Sequence, residues 1–313
     1  MTNNKKGLVM DILIKKKILV SYFMLTYNQE KYVKEAVESA LAQTYSPLEI
    51  IISDDCSTDS TFEIIKKTVA KYKGPHKVII RQNEQNLGLS RHFNKVMGML
   101  KGELFVGGAG DDIAFPEKTE KFAEVWLKNK NITALSSGYK IIDSDGKEIG
   151  TRYLEPEGFS SYDIYSEVKN SIWGGCSVAF SARLFKAFGN IRYKDSTEDR
   201  VMFRRSILLG KVYRIKEPLI YYRQAGISGQ TTDIRKIYRF WSLHFHGLKN
   251  FLHDVKKVPQ TTETQACRKY IYKRCWLVLS KLLILKTLMK LKINPFPAIA
   301  FVKDLLRPVY RRF

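Results

Sequence analysis

Over its first 135 residues the chain alternates short, nearly unbroken apolar runs with amphipathic stretches, and this alternation limits the possible folds more than any other feature. Ile18–Leu25 (ILVSYFML) and Leu48–Ser53 (LEIIIS) are predominantly apolar, as strands covered on both faces are. Between them, Glu30–Gln43 sets Val33, Val37, Ala40 and Leu41 at helical spacing. Thr61–Tyr72 and Ser90–Leu100 repeat the helical pattern, Lys77–Arg81 and Glu103–Val106 the strand pattern, and Pro116 opens a helix running to Asn129. Strand–helix repetition of this kind specifies an α/β fold with a mainly parallel sheet flanked by helices.

The first apolar run follows Lys15, Lys16 and Lys17, an arrangement that imitates a secretory signal. A buried strand explains it better, because the run is eight residues, offers no small-residue cleavage site and leads into polar TYNQEK. The four cysteines are scattered without a metal-binding spacing, so a reduced compartment is expected.

Further along the texture changes. Ile141–Ile149 is a hairpin pattern with Asp145-Gly146 at its turn. Residues 151–171 are irregular, Ile172–Phe180 is strand-like, Ser181–Phe188 and Glu198–Leu209 are helical, and Lys211–Tyr222 returns to strand. Beyond Thr232 the pattern is helical and densely basic. From Arg235 to Phe313 there are 18 Lys+Arg and three acids, which accounts for 15 of the net charge of +22. The excess calls for an anionic partner.

The chemistry concentrates at strand ends, where open parallel sheets bind ligands. The second strand runs into DDCSTDST, whose Asp54 and Asp55 precede the position that caps a helix; Asp55, Ser57 or Asp59 as a simple cap is the plainer alternative. Tyr27, at the end of the first strand, is placed either to stack on a nucleobase or to pack on the next helix. Gly110-Asp111-Asp112 puts two carboxylates in a glycine-rich turn, which suits Mg²⁺ or Mn²⁺; taken alone, a solvated turn is the plainer alternative.

Taken in order, these strand ends resemble the family 2 inverting glycosyltransferases of the GT-A fold. The likeness begins at VSYFMLTYNQEKYVKEAVESALAQTYSPLEIIISDDCSTDST, continues through NEQNLGLSRHFNKVMGMLKGELFVGGAGDDIAFPEKTEKF and reaches TEDRVMFRRSILLG, covering roughly Ile18 to Tyr222. The resemblance implies that Tyr27 stacks on uracil and Asp55 bonds its Watson–Crick edge with support from Asp54. It places Arg91 near the nucleotide or diphosphate, Asp111 against ribose or sugar, and Asp112 on the metal. Asp199, within Thr197-Glu198-Asp199-Arg200, corresponds to the catalytic base; taken alone, Glu198 and Asp199 also suit a helix first turn. Trp173, Gly174 and Gly175, with Glu198, fall on the acceptor side, and Arg223 and Gln224 sit where relatives carry a residue near the diphosphate. The motif's first acid is absent here, replaced by Gly110.

The expected organisation is an N-terminal extension (1–17), a GT-A catalytic domain (18–232) with nucleotide-binding (18–135) and acceptor-binding (136–232) halves, and a basic helical region (233–313). The expected partners are a UDP-sugar, Mn²⁺ or Mg²⁺, a glycan or lipid-linked acceptor, and an anionic membrane surface at the cytoplasmic face. Trp276–Leu291, apolar but broken by Lys281, Lys286 and Lys290, suits an interfacial helix or one packed on the catalytic domain. No nucleic-acid motif is present. A silent nucleotide-sugar binder is the alternative; a nucleotidyltransferase is disfavoured because TYNQEKY is not a basic glycine-rich phosphate loop.

Overall fold

A computed structural model describes residues 17–159, 175–193, 196–224 and 234–291. Its centre is a ten-stranded sheet. One half is built from β1 (Val20–Thr26), β2 (Leu48–Asp54), β3 (Lys77–Gln82) and β4 (Leu104–Ala109), all parallel in the order β3-β2-β1-β4. The chain first winds outward from β1 to β3, then crosses back to place β4 on the other side of β1. That reversal opens a crevice beyond the carboxyl ends of β1 and β4.

The other half is mixed. β9 (Val178–Ser181) runs antiparallel to both β4 and β6 (Ile132–Ile142), and β10 (Lys211–Arg223) runs parallel to β6. Short strands β5 (Ile113–Ala114), β7 (Glu148–Arg152) and β8 (Gly158–Phe159) pair antiparallel at the margins. The parallel character read from the sequence therefore belongs to the first half, and the insertion of β9 makes the second half mixed. The expected strand over Ile172–Phe180 is shorter: a single 3₁₀ turn, Gly175–Ser177, leads into β9, while Ile172 to Gly174 lie outside the described residues.

Alternation along the strands fills two layers. Tyr22 and Met24 of β1, with Ile50 and Ile52, pack against α1 (Val33–Leu41), α2 (Thr61–Val69) and α4 (Lys118–Lys128) through Val37, Ile65 and Phe122. Phe23 and Ile51 point the other way, to α3 (Leu89–Met97), α5 (Ala182–Phe188) and α6 (Glu198–Leu209) through Phe93, Leu184 and Phe203.

The basic region forms two long helices, α7 (Ile234–Val255) and α8 (Thr262–Leu291), with their own core of Leu248, Phe251, Ile271 and Val278. Ile207 and Leu208 of α6 pack against it. Buried polar groups secure the junction. Arg205 pairs with Asp254 at 2.8 Å, both side chains almost wholly buried, and Asn250 accepts from the Arg192 and Tyr193 amides. Removing one member of such a pair leaves the other charge stranded, so Asp254→Ala should cost about 3–5 kcal/mol of stability in denaturant titration. A loss below 1 kcal/mol would mean the helices are not clamped at this point.

Candidate active site

The loops after β1 and β2 are stitched together by side chains. Asn28 adopts a left-handed conformation (φ 51°), donates its amide to Ser57 Oγ and accepts from the Thr58 amide. Glu30 and Asp59 exchange contacts across the same seam, each accepting from a backbone amide of the other loop. Tyr27 is thereby left at the rim with its ring 46% exposed, an aromatic face open to a planar ligand.

The adjacent carboxylates of the second strand end separate in role. Asp54 is fully buried, and its oxygens accept from Thr26 Oγ1, the Ser57 amide and hydroxyl, and Gln82 Nε2. Four donors use its full acceptor capacity, so Asp54, expected among the donor-binding groups, supports the loop instead. Asp55 Oδ1 accepts from Asn83 Nδ2 and the Leu87 amide, whereas among the described residues Oδ2 accepts from the Gly88 amide alone. One acceptor position on Oδ2 remains. Arg81 steers this arrangement by donating to Asn83 Oδ1 and Ser53 Oγ. Arg91 is exposed on α3, three residues beyond Gly88.

The turn after β4 brings Asp111 and Asp112 to the crevice. Gly110 allows the close packing there, since a Cβ would meet Gln29 Oε1 and stand 2.8 Å from Thr26 Cγ2, displacing the Gln29 side chain. Gln29 also hydrogen-bonds Asp111, a contact the sequence did not announce. Asp112 is 5% exposed, accepts from the Arg223 amide at 2.8 Å and accepts a hydrogen bond from the Cys176 thiol. Burial, then the Asp111 charge, pushes Asp112 up to about 7. Beneath them the wholly buried Lys118 ammonium donates to the carbonyls of Gly107 and Cys176, each at 2.6 Å. Arg223 donates to the carbonyls of Asp111, Asp143 and Ser144 and to the Glu35 carboxylate. Its side chain is thus committed to bracing the turn rather than facing a diphosphate.

The carboxylate pair fits a divalent cation by its donor chemistry: hard oxygen ligands, next to each other, at a strand end. Among the described residues no group of three His, Cys, Asp or Glu side chains is arranged to hold a metal ion; a cation at this pair would take one or two protein ligands and the remainder from substrate oxygens, as Mg²⁺ and Mn²⁺ accept.

Glu198 and Asp199 begin α6, and Gly175 presses on them. A Cβ on Gly175 would stand 3.1 Å from Glu198 Oε1 and 3.9 Å from Asp199 Cβ. Because Cys176 bonds Asp112, one 3₁₀ turn has the Asp111/Asp112 pair on one flank and Glu198/Asp199 on the other. Asp199 Oδ1 accepts from the Arg200 amide at 2.6 Å; burial raises its pKa, and the Arg200 contacts restrain that rise. Glu198 Oε2 finds no hydrogen-bond partner among the described residues, and burial followed by the Asp199 charge pushes Glu198 up to about 8. Of the expected acceptor-side residues, Gly175 and Glu198 meet; Trp173 and Gly174 lie outside the described residues.

Glu198 has a consequence for stability. Between its ordinary value of 4.5 and about 8, the folded protein keeps a proton that the unfolded chain has released. Stability therefore falls as pH rises through that window. Glu198→Gln should leave Tm unchanged at the acid end and raise it by roughly a few degrees at the alkaline end, read by thermal melts across pH. A uniform shift at every pH would contradict this account.

Comparison with known proteins places the family and the fold. The family profile described as Glycosyl transferase family 2 matches residues 21–192. The putative glycosyltransferase EpsE of Bacillus subtilis is 34% identical over 66% of this chain and 73% of its own length. Among solved structures, S. aureus TarS 1–349 in complex with UDP-GlcNAc superposes with a TM-score of 0.59 at 18% identity, covering 84% of this chain and 71% of that one. The mannosyltransferase PcManGT from Pyrobaculum calidifontis, in complex with GDP-Man and Mn²⁺, gives 0.55 at 14% identity, covering 97% and 87%. Both share the fold with this chain.

Proposed function

The chain belongs to glycosyl transferase family 2, and from that premise we propose that it transfers a sugar from a UDP-sugar to a glycan hydroxyl by a single inverting displacement. The observation that carries this is the 3₁₀ turn Gly175–Ser177, with a cation-type carboxylate pair on one flank and a base-type pair on the other.

On the donor side, Tyr27 offers a ring to the base, and the remaining acceptor position on Asp55 Oδ2 suits one ring N–H, which uracil presents. Arg91, exposed in the first turn of α3, would meet the phosphates. Mn²⁺ or Mg²⁺ held by Asp112, with Asp111 beside it, would neutralise charge on the departing diphosphate. On the acceptor side Asp199 takes the proton from the attacking hydroxyl. Glu198, pushed up to about 8, holds its own proton at neutral pH, which leaves Asp199 as the ionised member of the pair.

The transferred group is a hexose or N-acetylhexosamine, and the acceptor a growing, lipid-linked surface glycan met at the cytoplasmic membrane face. The basic helical pair α7/α8 supports that acceptor assignment. Thermal shift with UDP, UDP-sugars and GDP-sugars, each with and without Mn²⁺, tests the donor. Stabilisation by uridine nucleotides that strengthens with Mn²⁺ is expected. Absence of any uridine effect, or preference for GDP-sugars, overturns the assignment.

A further inference from the structure

A helix that packs on a globular domain usually shows one apolar stripe and a polar outer face. α8 departs from this. Cys267, Ile271, Cys275, Val278, Leu282 and Leu285 are buried on the domain side. Yet Tyr272, Trp276 and Leu283 stand 47%, 69% and 58% exposed, with Leu279 half-buried between them. Spacings of four, three and four put these residues on one stripe of their own. Lys269 precedes the stripe by three residues, Lys286 and Lys290 continue it, and all three are exposed. From Thr264 to Leu291 the helix carries seven cations and no acid.

We propose that this outer face of α8 docks on an anionic phospholipid bilayer, the aromatic and leucine side chains entering the headgroup boundary and the lysines meeting lipid phosphates. An indole and a phenol exposed together on an otherwise aliphatic and cationic helix are interfacial groups, apolar in body and polar at one edge. The lysines extend past the apolar stripe, as snorkelling requires. Insertion across the bilayer is excluded for α8, since no described helix is long and apolar enough to cross. Self-association through this face would set lysine against lysine across a two-fold axis with no acid to compensate.

On its inner side, turned away from the docking stripe, α8 reaches toward the proposed base. Lys281 lies 3.9 Å from the Trp241 ring centroid, and the neighbouring Phe240, half exposed, lies 5.8 Å from the Arg200 guanidinium, next in sequence to Asp199. The start of α7 thus links the inner side of α8 to the proposed base, and holding α8 on a bilayer would bring that base near an acceptor borne on lipid. This step rests on the lipid-linked acceptor reading above; the bilayer contact itself does not.

Sedimentation of the full chain with phosphatidylcholine vesicles, alone or with one-third phosphatidylglycerol, tests the contact. The wild-type chain should bind the anionic vesicles, release with added salt, and show tryptophan emission quenched by bromolipid. Trp276→Phe should remove most of that quenching. Trp276→Ser with Leu283→Ser should lower partitioning at least about tenfold, and charge reversal at Lys269, Lys286 and Lys290 about a hundredfold or more. These positions are exposed, so melting temperatures should stay level, and the comparison of vesicle types on the wild-type chain needs no variant. Equal binding to neutral vesicles, unchanged binding by the variants, dimerisation through this face, or preference for a single-stranded oligonucleotide overturns the proposal. UDP-dependent stabilisation is measured without lipid, so a failure here is separable from failure of the donor assignment.

Discussion

Asp199→Asn should abolish turnover while sparing donor binding: transfer falls about 10²–10⁴-fold, the range a positioned general base contributes. The amide is isosteric, and its Oδ1 can still accept from the Arg200 amide, so the start of α6 keeps its shape. What disappears is the lone pair that takes the acceptor proton. Stabilisation by UDP with Mn²⁺ should persist, because the donor contacts lie on the far side of the Gly175–Ser177 turn. The pH profile adds a second readout. Burial holds Asp199 above its ordinary carboxylate value, so the rate should rise with pH through a step displaced upward from that value. Glu198→Gln should keep turnover, since Glu198 is already protonated at neutral pH. Activity lost in Glu198→Gln but retained in Asp199→Asn would exchange the two roles.

The polar strand ends of the first half were legible in the sequence because strand ends announce themselves. An apolar run that stops at Tyr27, at Asp54 or in a Gly-Asp-Asp turn fixes where a parallel sheet presents polar groups. Both adjacent acids are buried, and which of them keeps an acceptor position is a different matter. Asp54 and Asp55 are consecutive, and only the loop geometry shows Asp54 enclosed by four donors while Asp55 keeps an acceptor position. Lys118 was missed for a related reason: in PEKTEK it reads as a solvated first-turn lysine, yet it is wholly buried under the Asp112 turn. The Cys176–Asp112 contact joins residues 64 apart, and no local pattern encodes it. The insertion of β9 between β4 and β6 was equally invisible, since strand pairing over such separations depends on the whole sheet. The outer stripe of α8 was half legible. Its lysines interrupt the apolar run in the sequence, but which apolar residues face solvent follows only from the docking of α7 against Ile271 and Val278.

Asp112→Asn separates the metal's contribution from that of the nucleotide. Asn can still accept from the Arg223 amide through Oδ1, and replacing a buried carboxylate by a neutral amide removes a desolvation cost, so the fold should be no less stable. The expected loss is specific. UDP should still stabilise the variant modestly through Tyr27 and Asp55, while the increment that Mn²⁺ adds disappears. Transfer should fall by about 10³-fold, which corresponds to the several kcal/mol that cation stabilisation of a leaving group supplies. Asp111→Asn provides the contrast, because Asp111 is held by Gln29 and stands beside the site rather than at its centre. It should weaken the Mn²⁺ increment less. Should Asp112→Asn retain the full Mn²⁺ effect and Asp111→Asn lose it, the ligand is Asp111 and the proposed orientation of the turn is reversed. If both retain it, the cation sits elsewhere, and charge on the departing diphosphate must be met by the basic side chains of the crevice, with Arg91 the first to test.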